Sequence, residues 1–196
     1  MFQLKKHFFI LVFLLLNTSL VFAQKNAYRV IFFGDSVGLI TVEKKVVNNQ
    51  SFSCHFKSEA EAVLFFIKTK TFAQTDLVFS EAKLVSGHVI RKKNNELQEL
   101  FYKWNGTSYD VTDNNKKLNI NKEIIYATAN FFIKEPIGID EVFVERFNYF
   151  VPIEKLENNQ YRTKVDGGTN LYTYKKGKLV SLKSTKGVSI LMELIK

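Results

Sequence analysis

The chain has 196 residues, with 28 lysines and arginines against 19 aspartates and glutamates, two prolines and one cysteine. One thiol excludes an internal disulfide, so stability must come from a packed core. The length suits a single domain, and no linker or low-complexity stretch divides the chain.

The first segment has the features of an export signal. Lys5 and Lys6 precede an apolar run at residues 8–16, and Ala23 supplies a small residue at a cleavage position. We predict a signal peptide at residues 1–23, cleaved between Ala23 and Gln24, and one domain at residues 24–196 in the periplasm or outside the cell. The run is shorter than the roughly 20 residues of a membrane-spanning helix, so no transmembrane anchor is expected after cleavage.

The net charge of +9 falls to +7 after this cleavage, which removes Lys5 and Lys6 and no acidic residue. The lysines occur in pairs beside turns, such as Lys44-Lys45 and Lys92-Lys93. This dispersal is typical of soluble sheets with protected edges and argues against nucleic-acid binding. Attraction to anionic envelope material stays open.

The stretch at residues 30–39, VIFFGDSVGL, has two interpretations. Its Gly34-Asp35-Ser36-Val37-Gly38 frame matches a nucleophile elbow and is similar to the first block of GDS-type esterases, in which Ser36 would be the nucleophile. An elbow requires a helix after the serine, but a β-branched run follows, and no histidine occurs after His88 to act as base. We therefore predict a hairpin that pairs residues 28–33 with residues 37–47, and no catalytic residue.

Turn signals recur about every 8 to 14 residues, which is the rhythm of antiparallel strands. Asn105-Gly106 predicts a type I′ turn between strands at residues 100–104 and 107–111. Turns at residues 166–168, 176–177 and 186–187 predict a C-terminal meander. The fold class is all-β with at most one short helix: a long antiparallel meander forming a curled sheet, half-barrel or sandwich.

Two apolar segments are ambiguous. Residues 62–67 have no period, which suits a strand covered on both faces or a buried helix. Residues 123–134 fit either period and end before Pro136, so both a strand and a single short helix stay open there.

Neither metal binding nor acid–base chemistry is indicated. Cys54 and His55 are adjacent on an alternating strand and point to opposite faces, and His88 has no ligand-like neighbour, so no metal site and no cofactor are predicted. Cys54 shares a face with phenylalanines and is expected to be buried. Glu141 and Glu145 look like the solvent side of a strand, and with Glu154 they give no geometry for glycoside cleavage.

The aromatic content has two explanations. Most rings should form the core, but an aromatic concave face can also hold a lipid, acyl chain or glycan. Candidate ligand-binding rings are Trp104, Tyr172 and Tyr174, which would line up on one face of a surface recognition module.

The chain resembles a family of exported bacterial β-proteins of the Bacteroidota type, known as a domain of unknown function. The resemblance covers most of residues 24–196 and is carried by Tyr28, Gly34, Gly38, FFIKEP at residues 131–136, VFVE at residues 142–145, Tyr161, Asp166-Gly167, Tyr172, Tyr174 and Gly177. It implies export and a mainly antiparallel sheet, and no catalytic residues. The form is also similar to the curled sheets of periplasmic lipoprotein carriers, by analogy of fold.

These features predict an exported non-enzymatic envelope protein that binds a hydrophobic or anionic ligand or scaffolds a partner, such as a lipid, a glycan or an envelope protein. Two alternatives stay open: a serine hydrolase using Ser36, and a surface module for glycan or protein recognition.

Overall fold

A computed structural model describes residues 23–64 and 67–195. Residues 1–22 of the predicted signal peptide, and Phe65 and Phe66 of the ambiguous apolar segment, lie outside the described residues. The described chain is mainly antiparallel strand, which confirms the predicted all-β class.

Fifteen strands and one short helix are present in the described residues. The strands are β1 (Ala23–Phe32), β2 (Asp35–Asn48), β3 (Ser51–Leu64), β4 (Ile67–Ser80), β5 (Lys83–Lys93), β6 (Glu96–Trp104), β7 (Tyr109–Asp113), β8 (Lys116–Ile120), β9 (Glu141–Val144), β10 (Tyr149–Pro152), β11 (Glu154–Lys155), β12 (Gln160–Val165), β13 (Gly168–Lys175), β14 (Lys178–Lys186) and β15 (Val188–Leu194). The helix is a 3-10 turn at Thr128–Phe132. No helix in the described ranges is long and apolar enough to cross a membrane.

Thirteen strands form one open antiparallel sheet, in the order β11-β12-β13-β14-β15-β1-β2-β3-β4-β5-β6-β7-β8. Two meanders, β1 to β8 and β11 to β15, are joined by pairing of the first strand with the last, with Tyr28 opposite Leu194. The strands β9 and β10 form a separate hairpin.

Alternation along each strand assigns the two faces of the sheet. In β1, Tyr28 and Val30 are buried, whereas Arg29 between them is exposed. We call the side with the buried residues the inner face and the opposite side the outer face.

The predicted turns are confirmed with two changes in detail. The chain reverses at Phe33 and Gly34, both at positive φ, so Ser36 already belongs to β2. The Asn105-Gly106 turn is not type I′: only Gly106 has positive φ, and Trp104 pairs with Tyr109 across a four-residue loop. The Asn105 side-chain oxygen accepts hydrogen bonds from the backbone N–H groups of residues 107 and 108, which makes the longer loop favourable.

The two ambiguous segments behave differently. Of the two interpretations of residues 62–67, the described residues are strand rather than helix, but they are not covered on both faces, because β3 and β4 form a hairpin there and Val63 is 63% exposed. Four residue pairs of this hairpin extend past the last pairing of β2 with β3, at Gly38 and Ala60. Of the two alternatives for residues 123–134, the short helix is the one present, as the five-residue 3-10 turn.

Residues 121–153, which we call the covering segment, lie between β8 and β11 and cross the inner face. They contain the 3-10 turn and the β9–β10 hairpin. Their apolar residues, including Ile124, Phe131 and Phe143, are buried in one cluster with the inner-face residues of the sheet. The concave side of the sheet is therefore filled by the chain itself.

Candidate functional site

Tyrosine side chains fasten the covering segment to the sheet. Seven of the eight tyrosines are buried, and five of these lie on sheet strands and make hydrogen bonds to the covering segment. Their partners are the carbonyls of Phe132, Glu145 and Phe131 for Tyr28 (3.3 Å), Tyr102 (2.6 Å) and Tyr174 (2.7 Å), the backbone N–H of Ile124 for Tyr109 (3.1 Å), and the Glu135 carboxylate for Tyr161 (2.9 Å). Since buried backbone groups must be paired, the phenol groups allow an irregular segment to lie inside the core.

The burial of these tyrosines shifts their titration. Burial raises the pKa of Tyr161 to about 12, and the hydrogen bond to Glu135 acts in the same direction. Burial also raises the pKa of Tyr28, Tyr102 and Tyr174. These groups are neutral hydrogen-bond donors at physiological pH and have no character of a catalytic base.

The predicted ligand-binding rings do not form an exposed row. Tyr172 and Tyr174 are 3% exposed, and the Tyr172 ring stacks on Phe131 with centroids 3.8 Å apart. Trp104 is half-buried against Tyr109, with the Lys83 ammonium over its ring. The expectation that Tyr172 and Tyr174 are exposed is wrong, because alternation identifies the face of a strand but not the segment that covers that face. Ligand binding at the partly exposed Trp104 stays a prediction.

Glu145 is the functional-looking residue that the sequence argument misplaced. It was expected on the solvent side of a strand, but it is fully buried at the end of β9. Its carboxylate accepts hydrogen bonds from the backbone N–H groups of Thr128 and Ala129, both at 3.2 Å, and contacts the Thr128 hydroxyl. Burial raises the pKa of Glu145, and these hydrogen bonds oppose that shift.

The geometry around Glu145 indicates fastening rather than catalysis. Its carboxylate pairs N–H groups that the start of the 3-10 turn leaves without partners. The Asn130 Nδ2 atom, in the same turn, is a buried donor without a partner among the described residues.

Cys54 and the two histidines of the described chain lie on opposite faces of the sheet. Cys54 is buried, as expected, and burial raises its pKa to about 12. On the outer face, His55 pairs with Asp76 at 2.5 Å and His88 with Glu99 at 2.8 Å. Within residues 23–64 and 67–195, no three histidine, cysteine or acidic side chains come together as a possible metal site.

Ser36 does not stand in an elbow. It is exposed on β2, pairs with Ile31 of β1, and is followed by strand rather than helix. The strand–turn–helix geometry that positions an esterase serine is therefore not present around it.

The outer face has an open depression of about 570 Å³ beside the β3–β4 hairpin. Glu59, Phe72 and Lys92 lie opposite one another across its three strands. Glu61 is exposed there and is bridged by Lys68 and Lys70, which lower its pKa. The depression is open to solvent and its lining mixes charged side chains with apolar ones such as Val37 and Phe72, which suits a contact surface better than an enclosed reaction site.

Comparison with known proteins identifies the family. Searches of curated proteins and of solved structures gave no significant match. The sequence profile described as domain of unknown function (DUF6134) matches residues 28–194, which is nearly the whole described chain. The chain belongs to the DUF6134 family of domains of unknown function.

Proposed function

We propose that the chain is an exported, non-enzymatic protein that binds an anionic component of the cell envelope through surfaces outside its filled concave face. The carrying observation is that the covering segment occupies the space that an apolar ligand would need, and that five sheet tyrosines hold it there. The net charge of +7 that remains after the predicted cleavage (+9 less Lys5 and Lys6) favours an anionic partner.

Vesicle binding tests this proposal. We expect the purified protein to co-sediment with vesicles that contain phosphatidylglycerol, or to bind an anionic polysaccharide, and not to bind phosphatidylcholine vesicles. Binding should weaken at high salt because exposed charges are screened. Equal binding to both vesicle types, or none to any anionic probe, would contradict the proposal.

Binding of a fluorescent fatty acid tests whether the space beneath the covering segment can hold an apolar ligand. We expect no saturable binding, since the concave face is filled. Saturable binding that an unlabelled fatty acid displaces would instead support a ligand beneath the covering segment.

The non-enzymatic part is supported by the position of Ser36 on β2, where it pairs with Ile31 of β1 and is followed by strand. We expect a fluorophosphonate probe to label the protein no more than the Ser36→Ala variant. Labelling that depends on Ser36 would favour the serine hydrolase alternative.

A further inference from the structure

Arg91 points to a binding site at the rim of the covering segment. It lies on the inner face of β5, where its cross-strand neighbours are Ala73 on β4 and Gln98 on β6. The Gln98 amide in turn donates a hydrogen bond to the carbonyl oxygen of Arg146, at 3.3 Å. Gln98, the β6 neighbour of Arg91, therefore reaches the β9–β10 turn that carries Arg146.

The Arg91 guanidinium has unused donors. A guanidinium carries five N–H donors, yet no acceptor of the described chain bonds to those of Arg91 and no described carboxylate lies within 4 Å. Arg91 is partly buried. Burial, and after it the positive charge of Arg146, lowers the pKa of Arg91 to about 10, while Glu145 acts in the opposite direction.

The three nearby carboxylates have other donors. Asp166, whose pKa Lys186 and then Arg146 lower, pairs with the Lys186 ammonium. Asp113 accepts hydrogen bonds from the amides of Gln98 and Asn148. The Glu145 carboxylate accepts hydrogen bonds from the backbone N–H groups of Thr128 and Ala129. They moderate the local positive charge and leave the guanidinium donors of Arg91 free.

Arg146 supplies a second guanidinium. It is exposed in the β9–β10 turn and lies over the Phe147 ring, 4.8 Å from the centroid, which restrains it by a cation–π contact. It makes no ion pair with a described carboxylate. Gln98 links the two arginines, as the cross-strand neighbour of Arg91 and the donor to the Arg146 carbonyl oxygen. Guanidiniums without an acceptor in the described chain match the planar, doubly hydrogen-bonding geometry of phosphate and carboxylate groups.

We propose that Arg91 and Arg146 form a binding site for an oxyanion, either a phosphate group or the carboxylate of an acidic sugar, with Gln98 positioning the two residues. This inference rests on the proposed recognition of an anionic envelope component and identifies the residues that contact its charged group.

Titration with inorganic phosphate and with glucuronate tests the site and distinguishes the two sources. We expect saturable binding of at least one anion at constant ionic strength, weakened at least tenfold in Arg91→Gln and in Arg146→Gln. Arg162→Gln is the matched control, because Arg162 is already paired with Glu154 at 2.5 Å. The anion that binds more tightly shows whether the site recognises a phosphate group or a sugar carboxylate.

Three results would overturn the assignment: no saturable binding of either anion, unchanged binding in both variants, or an equal loss in Arg162→Gln, which would indicate diffuse attraction. Because Arg146 lies in an exposed turn, its variant keeps the test valid if Arg91→Gln fails to fold.

Vesicle binding that persists in the Arg91→Gln, Arg146→Gln double variant would rule out this site as the vesicle contact and leave the proposed function standing. Phosphate binding by a protein that binds no anionic vesicle and no anionic polysaccharide would support this site and contradict the proposed function.

Discussion

Tyr174 donates its hydroxyl hydrogen to the carbonyl oxygen of Phe131 at 2.7 Å, which joins strand β13 to the 3-10 turn of the covering segment. Tyr172 lies on the same strand as Tyr174, and its ring stacks on the Phe131 ring. One turn of irregular backbone is thus held by both a hydrogen bond and an aromatic contact. The many rings of this sequence serve to pack its own covering segment.

The Tyr174→Phe substitution should destabilise the protein by about 1–3 kcal/mol, because the buried Phe131 carbonyl loses its donor while the ring volume is kept. Urea unfolding at neutral pH measures the change. Tyr149→Phe is the control, since Tyr149 is 37% exposed and its hydroxyl has no partner in the described chain. Equal midpoints for the two variants would show that the hydroxyl bond does not stabilise the core.

Local turn chemistry made most of the sheet predictable. The Asp166-Gly167 and Lys176-Gly177 pairs both adopt positive φ, so the strands of the C-terminal meander begin and end close to the predicted positions. The pairing of β1 with β15 was not predictable, because no local signal connects residues so distant in the chain.

The path of the covering segment was not predictable from the sequence, for a different reason. Residues 123–134 are apolar without one clear period, and their path is fixed by distant partners such as the tyrosines on β1 and β13. Burial of Glu145 follows from the same contacts, since its oxygens pair with N–H groups 16 and 17 residues away. A sequence shows which residues can make such bonds but not which distant groups they meet.

Gly38→Ala should cost more than about 2 kcal/mol. A methyl group at this position would lie 2.3 Å from the Glu59 carbonyl oxygen and 2.6 Å from the Ala60 Cβ atom, so backbone would have to move. Thermal or urea unfolding measures the loss, with Ser36→Ala on the same strand as the control. A Gly38→Ala protein as stable as the control would mean that β2 and β3 separate there at little cost.

Cys54 should resist thiol reagents in the native protein. It is 1% exposed, and burial raises its pKa to about 12, so the reactive thiolate is scarce at pH 8. We expect Ellman's reagent to label the native protein slowly and one thiol per chain at once in denaturant. Rapid labelling in native buffer would show that β3 opens locally.

Glu145 should give the protein a pH-dependent stability. Its pKa is raised above the ordinary 4.5 mainly by burial, so its contribution is full below 4.5 and is lost as pH rises through the raised value. Glu145→Gln keeps the size and one acceptor but cannot ionise. The stability of the wild type relative to this variant should therefore fall as pH rises from about 4 to 8, by about 1.4 kcal/mol per unit of pKa shift. Urea unfolding across this range, with exposed Glu157→Gln as the control, measures the difference; a difference that stays constant with pH would mean that the buried carboxyl does not titrate between these values.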